Sequence, residues 1–278
     1  MMKTNVIVIV VVIHFITLFQ KSSAHSFFAP LSMSLILSSR DKLNNGVKLI
    51  LASQSPRRRE ILDMMGLAGR YTVQPSPLDE TALQLRLTQP LTLTLKNTNT
   101  STTSNTMTPQ DYTLTLAQEK SKALAIQLAA DRTTSSTLIL GSDTIVDLNG
   151  MILEKPTDDA SAKAMLHALS ATSHQVHTAV ALYHVVGQQY TLIDSFVDTA
   201  QVTFAHLQDR DINNYIATRE PMDKAGSYGI QGMGGQFIES ITGDFFSVMG
   251  LPMHRTSKLL TRGVEIALAS SNGKTTRR

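Results

Sequence analysis

Short apolar runs alternate with amphipathic segments through most of the chain, which indicates strands that alternate with helices. The apolar runs predict strands at 49–51, 71–73, 138–140, 174–186 and 192–204. Apolar positions three and four residues apart predict helices that start near residue 56 and over 115–130, 157–169, 209–217 and 252–268.

The first 46 residues depart from this pattern and are predicted to be a targeting presequence. A lysine near the start, an apolar run of 14 residues over 6–19 and a small-residue end predict a signal peptide over about residues 1–24. The serine-rich segment after it resembles a transit peptide, and its junction at 24–30 resembles the bipartite presequences that target complex plastids. We therefore expect delivery to a plastid or a secretory-pathway organelle.

An uncleaved signal anchor is the alternative interpretation of the same apolar run. The run is shorter than the roughly 20 residues needed to span a bilayer, so no stable membrane span is expected in the mature protein. The folded domain is predicted over 47–270.

Two further stretches have the composition of segments that do not pack. Residues 81–113 are rich in Thr, Leu, Asn, Gln and Ser, with few charges and no helical period. They predict a low-complexity surface insertion. Residues 271–278 are predicted to be a disordered basic tail.

Composition excludes several classes of chemistry. The chain has no cysteine, which excludes disulfides, thiolate metal sites and a cysteine nucleophile. The net charge of +3 arises mainly outside the body of the chain, since residues 1–46 hold four basic residues and one acidic residue. Nucleic-acid binding is therefore not expected. Four histidines, at 167, 174, 177 and 184, lack zinc-ligand spacing and are expected to be exposed or hydrogen-bonded.

The stretch from Leu49 to Gly66 predicts a strand, a turn and the start of a helix. Ser53 and its polar neighbours would place hydroxyl and backbone N–H groups at the helix N-terminus, where the helix dipole favours an anion. Arg57 and Arg58 add guanidinium groups with forked donors, which suit phosphate. No GxxxxGK[ST] sequence occurs, so the chain is not a P-loop NTPase.

Two other stretches also indicate a functional site. Asp143 lies within an apolar strand, and Ile145 and Val146 resume the apolar run, which disfavours a turn or helix-cap aspartate. Seven glycines lie between Gly226 and Gly250, interleaved with aromatic and aliphatic residues. That density predicts tight turns and a close approach of the backbone to a ligand.

Together these stretches resemble the Maf family of nucleoside triphosphate pyrophosphatases. The matching sequences are ASQSPRRREIL at 52–62, the segment from GSDT to TAVAL at 141–182 and the glycine-rich segment at 220–252. The resemblance covers about 47–268 without the insertion. It implies an α/β fold, with a mixed sheet flanked by helices in two lobes around a central cleft, as in ITPase-like proteins. It also implies a homodimer and, as an alternative location, the cytoplasm.

The family resemblance implies a reaction and a set of site residues. A nucleotide is cleaved between its α and β phosphates to the monophosphate and pyrophosphate, with Mg²⁺ or Mn²⁺. Asp143 is the catalytic residue, as a base or a metal ligand, and Glu80 assists in binding metal. The phosphate-binding residues are Ser53, Arg57, Arg58, Lys155 and Lys224. Arg59 falls outside the paired arginines of the family and is predicted to be solvated.

The resemblance also bears on substrate choice. Arg57, Thr144 and Gln231 match the branch that prefers dTTP and UTP, whereas the branch that acts on 7-methyl-GTP has other residues there. The amide of Gln231 can pair with the edge of a pyrimidine, which accepts and donates side by side. Two departures, Glu154 and Ser227 where the family has glycine, bear on rate and substrate range. The resemblance extends the expected substrates to modified pyrimidine nucleotides, in a role that sanitises the nucleotide pool. The alternative functions are a nucleotide-binding regulatory module linked to cell-division arrest and a Maf-type hydrolase of 7-methyl-GTP.

Overall fold

A single mixed sheet organises the protein. The computed structural model describes residues 35–88 and 107–272. Within them the strand order is β2-β1-β3-β5-β6-β7, with β4 paired to β3. Strand β1 is parallel to β2 and β3, and the other pairs are antiparallel. The strands are β1 Val47–Leu51, β2 Thr72–Val73, β3 Thr133–Leu148, β4 Met151–Leu153, β5 Ser173–Gly187, β6 Gln189–Phe204 and β7 Ile238–Thr242. The predicted mixed sheet is confirmed.

Helices follow the strands, as the sequence pattern predicts. In the described residues the α-helices are α1 Pro56–Leu62, α2 Glu80–Thr88, α3 Pro109–Ala130, α4 Asp159–Leu169, α5 Asp209–Ala217, α6 Phe245–Met249 and α7 Met253–Asn272. A π-helical turn continues α1 over Asp63–Leu67. Short 3₁₀ segments occupy Ile36–Ser38, Arg40–Lys42, Glu220–Asp223, Ala225–Ser227 and Met233–Phe237.

Different parts of the long strands β3 and β5 pack in two different hydrophobic cores. Leu138 and Leu140 of β3 belong to the first core, which includes β1, α1 and α7. Val146 and Leu148 of the same strand belong to the second core, with α4 and α5. The segment of β3 around Asp143 therefore lies between the two cores, in agreement with the predicted two-lobed architecture.

The second core contains a cluster of aromatic rings around His174. Its imidazole ring makes edge contacts with Phe204 and Tyr228, at centroid distances of 5.1 and 5.5 Å. His174 Nε2 hydrogen-bonds the Tyr228 hydroxyl at 2.8 Å, and its buried Nδ1 has no hydrogen-bond partner. Burial lowers the pKa of His174 from 6.5 to about 4. This histidine is thus hydrogen-bonded, as predicted, and neutral at pH 7.

The folded body begins earlier than predicted. Ile36 and Leu43 are buried in the first core, and the backbone N–H of Ile36 donates to Ser257 Oγ at 2.9 Å. Packed residues therefore begin before the boundary predicted at residue 46, because two apolar side chains of a serine-rich segment pack beside α7. The predicted signal peptide and most of the transit-like segment lie outside the described residues.

The predicted insertion is also shorter than expected. Its first residues form α2, whose Leu83 is buried with Tyr112 and Leu116 of α3. Thr108 caps α3 by accepting a hydrogen bond from the backbone of Asp111 at 3.1 Å. The prediction of an unpacked segment over 81–113 is therefore wrong at both ends, since few but well-placed apolar residues reach the core. Residues 89–106 lie outside the described residues.

The C-terminal helix also extends past its predicted end, because α7 continues to Asn272. The rest of the predicted tail, 273–278, lies outside the described residues. None of the helices in the described ranges combines the length and apolar character that crossing a bilayer requires.

The revised N-terminal boundary can be tested by truncation. Protein that lacks residues 1–46 loses two fully buried side chains that protein lacking 1–34 retains. Burial of such side chains is worth about 1.5–3 kcal/mol each, so we expect the free energy of unfolding to differ by about 3 kcal/mol or more. Urea denaturation of both proteins measures it. Equal stabilities would show that residues 35–46 contribute nothing to the core.

The buried His174 predicts a pH dependence of stability. Because its folded-state pKa is depressed, the unfolded chain takes up the proton first as the pH falls. Its contribution is complete above about pH 6.5 and is lost toward pH 4, by up to about 3 kcal/mol. Between pH 6.5 and pH 4, we expect the free energy of unfolding to fall by up to about 3 kcal/mol more in the wild-type protein than in the His174→Phe variant. Denaturation of both proteins at each pH measures this difference. Parallel curves for the two proteins would contradict it.

Candidate active site

A cavity of about 670 Å³ lies where the sequence motifs meet. It is lined by the turn after β1, the start of α1, the middle of β3 and the glycine-rich segment. All nine site residues predicted from the sequence line it: Ser53, Arg57, Arg58, Glu80, Asp143, Thr144, Lys155, Lys224 and Gln231. The structure therefore brings together residues that are spread over most of the domain.

The turn between β1 and α1 forms one wall of the cavity. Ala52 N donates to Leu140 O at 2.8 Å, which fixes the end of β1 against β3. Helix α1 then begins at Pro56, a residue suited to the first helical position because it lacks an N–H group. Ser53 Oγ accepts a hydrogen bond from Ser55 N at 3.2 Å. Residues 52–58, which form this turn and the start of the helix, line the cavity.

Arg58 is held by three uncharged acceptors. Its Nε donates to Gly250 O at 2.9 Å, Nη1 to Ser53 Oγ at 3.0 Å and Nη2 to Thr144 Oγ1 at 3.2 Å. Burial lowers the pKa of Arg58, and the charge of Asp143 acts in the opposite direction. A guanidinium stays protonated in proteins despite such shifts, so Arg58 presents a fixed positive charge.

The other two arginines of the motif have different surroundings. Arg57 reaches across the cavity, where Nη1 donates to Asp223 Oδ2 at 2.9 Å and Nη2 to Asp223 O at 3.2 Å. Arg59 is exposed, as predicted. The three consecutive arginines thus divide into one held by neutral groups, one paired with a carboxylate and one in solvent.

A lysine joins the two carboxylates that the sequence assigned to catalysis and metal binding. Lys120 Nζ lies 2.5 Å from Asp143 Oδ1 and 2.7 Å from Glu80 Oε2. Burial acts to lower the pKa of Lys120, but the charges of Asp143 and Glu80 outweigh it, and the pKa is raised. Lys120 is therefore a buried, protonated ammonium in the centre of the site.

Sequence analysis missed Lys120. The sequence pattern predicts a helix over 115–130 but gives Lys120 no role in the site, whereas the residue is only 7% exposed. The helical periodicity indicates that Lys120 lies on the buried face. Leu116 and Leu124 lie one helical turn away on either side of it, and both are fully buried. A lysine on the buried stripe of a helix requires a partner, and that partner is Asp143.

The second carboxylate oxygen of Asp143 is unpaired. Oδ2 is buried and has no hydrogen-bond partner. In residues 35–88 and 107–272, no group of three or more histidine, aspartate or glutamate side chains is placed to hold a metal ion. Mg²⁺ is commonly held by one or two carboxylates, with substrate phosphates and waters completing its shell. Asp143 and Glu80 therefore fit a cation that the substrate helps to bind, and not an all-protein cage.

Glu154 is one of four acidic residues that line the cavity, with Glu80, Asp143 and Asp223. The Tyr112 hydroxyl donates to its Oε1 at 2.7 Å. Burial and the charge of Asp143 raise the pKa of Glu154. Sequence analysis noted this residue only as a departure from glycine. The adjacent Lys155 is exposed at the cavity.

Glu220 organises the glycine-rich segment. Its carboxylate accepts hydrogen bonds from Met233 N at 2.9 Å and from Gly234 N at 3.2 Å. A Cβ at Gly232 would overlap that carboxylate, so a side chain at this position would displace it. Gln231, at the tip of this turn, is exposed and lines the cavity. The backbone of the glycine-rich segment, which was predicted to approach a ligand closely, thus contacts the Glu220 carboxylate and also lines the cavity.

The sequence is similar to those of known proteins. The family model described as "Maf-like protein" matches residues 48–263. A protein of Shewanella oneidensis named dTTP/UTP pyrophosphatase is 44% identical over 219 residues, which cover 77% of this chain and 97% of that protein. A protein of Bacillus pumilus with the same name is 38% identical over 215 residues, which cover 77% and 95%.

Among solved structures, a HAM1 protein from Coxiella burnetii is 15% identical, with a TM-score of 0.32, over 79% of this chain and 98% of that protein.

The family model spans most of the described domain and includes all three sequence motifs of the cavity. The chain therefore belongs to the Maf family.

Proposed function

We propose that this protein hydrolyses dTTP and UTP to the nucleoside monophosphates and pyrophosphate. The observation that carries the proposal is the buried, unpaired Oδ2 of Asp143, in a cavity lined by five cationic side chains. The names of the Shewanella and Bacillus relatives support the same reaction. Membership of the Maf family supports it further.

The positive charges of the cavity suit a triphosphate. Arg58 and Lys120 are fixed by the contacts described above, and Arg57, Lys155 and Lys224 line the same cavity. Cations already in place when charge develops on the phosphate under attack stabilise the transition state without reorganisation. A weakly charged ligand would gain little from such a site.

In the proposed reaction, Asp143 assists the attack of water. Oδ1 is engaged by Lys120, which leaves Oδ2 to take the proton of a water that attacks the α phosphorus. The new P–O bond forms as the bond from that phosphorus to the α–β bridging oxygen breaks, and pyrophosphate leaves with the bond electrons. Asp143 and Glu80 are also the carboxylates that fit Mg²⁺ or Mn²⁺, which when bound neutralises phosphate charge.

Three residues are evidence that the base of the substrate is a pyrimidine. Arg57, Thr144 and Gln231 line one cavity and match the branch that prefers dTTP and UTP. The exposed amide of Gln231 is free to offer a donor and an acceptor to the base edge. A glutamate there would only accept hydrogen bonds when ionised.

A substrate screen tests the function. With Mg²⁺ or Mn²⁺, we expect pyrophosphate release from dTTP and UTP and little from 7-methyl-GTP. Gln231→Glu should lower kcat/KM for UTP by about tenfold or more, because one hydrogen bond to the base is lost and an acceptor faces an acceptor. A wild-type enzyme that preferred 7-methyl-GTP would overturn the assigned substrate, and no release from any nucleotide would overturn the reaction.

The role of Asp143 can be tested by removing its charge. Asp143→Asn should lower kcat by about 10²- to 10⁴-fold, because the amide cannot take a proton from water. Asp147→Asn is a matched control, since Asp147 lies on the same strand and is equally buried but bonds His177. We expect its kcat to stay within a few-fold of wild type. Equal losses in both variants would indicate damage to β3 and contradict a chemical role for Asp143.

A further inference from the structure

The carboxylate of Asp223 connects two cations of the cavity. Oδ2 accepts from Arg57 Nη1 at 2.9 Å, and Oδ1 accepts from Lys224 Nζ at 2.7 Å. Arg57 and Lys224 both line the cavity, Arg57 from α1 and Lys224 directly after a 3₁₀ segment. Both oxygens of this one side chain are therefore occupied by cationic groups to which sequence analysis assigned substrate phosphate.

The arrangement has the chemistry of a bound phosphate. Two oxygens on one central atom, one facing a guanidinium and one facing an ammonium, are what a phosphoryl group would present at the same place. The backbone O of Asp223 accepts a second bond from Arg57 at 3.2 Å, which holds the guanidinium on the cavity side. Asp223 thus gives both cations an anionic partner from within the protein.

Arg58 provides the contrast. It is bonded to hydroxyl and carbonyl oxygens, so no carboxylate is hydrogen-bonded to its guanidinium among the described residues. A phosphate that binds Arg58 therefore has no hydrogen-bonded carboxylate to displace. A phosphate that binds Arg57 and Lys224 has to displace the carboxylate of Asp223. The two halves of the predicted phosphate site differ in whether an internal anion competes with the ligand.

We propose that Asp223 occupies the place of a phosphate group between Arg57 and Lys224, and that polyphosphate ligands bind by displacing it. The proposal rests on the proposed function for the identity of the ligand. Displacement is open to Asp223 because its side chain is 57% exposed, whereas Arg57 and Lys224 are 18% and 12% exposed. The carboxylate can turn into solvent while the two cations stay in place.

Because Asp223 competes with the ligand for Arg57 and Lys224, the charge of a ligand determines how readily it displaces the carboxylate. Ion pairs of partly exposed groups are weak, so a ligand with several charges replaces the carboxylate readily. A monophosphate carries less charge and gains less from the exchange. Asp223 therefore favours retention of triphosphate substrate over retention of the monophosphate product.

Binding of inorganic pyrophosphate tests the proposal directly. Calorimetry without divalent metal, on wild type and Asp223→Asn, compares the site with and without its internal anion. Because one weak ion pair no longer competes, we expect Asp223→Asn to bind pyrophosphate about fivefold more tightly, with the gain reduced at high salt. Asp223→Ser removes the same charge with another side chain and should bind equally tightly.

Asp194→Asn is the matched control. Asp194 is 51% exposed and pairs with Arg262 at 2.8 Å, but neither residue lines the cavity. Its loss changes the net charge equally, so pyrophosphate affinity should stay within about twofold of wild type. A gain in this variant as large as in Asp223→Asn would overturn the proposal, since general charge would then explain it.

The opposite outcome is equally decisive. Unchanged or weaker binding by both Asp223 variants would overturn the proposal, because Asp223 would then position the two cations and not compete for them. Turnover gives a second readout: Asp223→Asn should lower KM and strengthen inhibition by added nucleoside monophosphate. Pyrophosphate binding requires no turnover, so failure of wild type to hydrolyse nucleotides would contradict the proposed function alone.

Discussion

The buried ion pair between Lys120 and Asp143 is the interaction on which the site depends. Both residues are less than a tenth exposed, so each charge has lost most of its hydration. Such a pair contributes little net stability, yet removal of one partner leaves a buried charge and commonly costs about 3–5 kcal/mol. The pair therefore fixes α3 against β3, and through Glu80 it draws in α2 as well.

Close packing makes that pair geometrically possible. Helix α3 lies directly on β3 at Gly141, where a Cβ would come within 2.7 Å of Ser121 Cβ. Gly141 precedes Asp143 by two residues, on the same face of the strand. A side chain at 141 would push the helix outward and separate the ammonium from the carboxylate. The two hydrophobic cores on either side hold β3 in place, so the unpaired oxygen of Asp143 has a defined position.

Sequence reasoning succeeded where a function needs a local motif. The turn at Ser53, the strand aspartate Asp143 and the glycine-rich segment are each recognisable within a few residues, and together they indicated the family. It failed where packing rests on few apolar residues in a polar context. Ile36 and Leu83 stand in serine-rich and threonine-rich surroundings, so composition assigned their segments to a presequence and to an insertion, although both side chains are buried.

The sequence alone determined the alternation of strands and helices, the family and nine of the residues that line the cavity. Only the tertiary structure decided which charges meet within it. Lys120 and Asp143 are 23 positions apart, and Arg57 and Asp223 are 166 apart. Periodicity and local motifs do not identify the two members of such a pair. The energy of the pair depends on distance and burial, which arise only when β1, β3, α3 and the glycine-rich segment pack together.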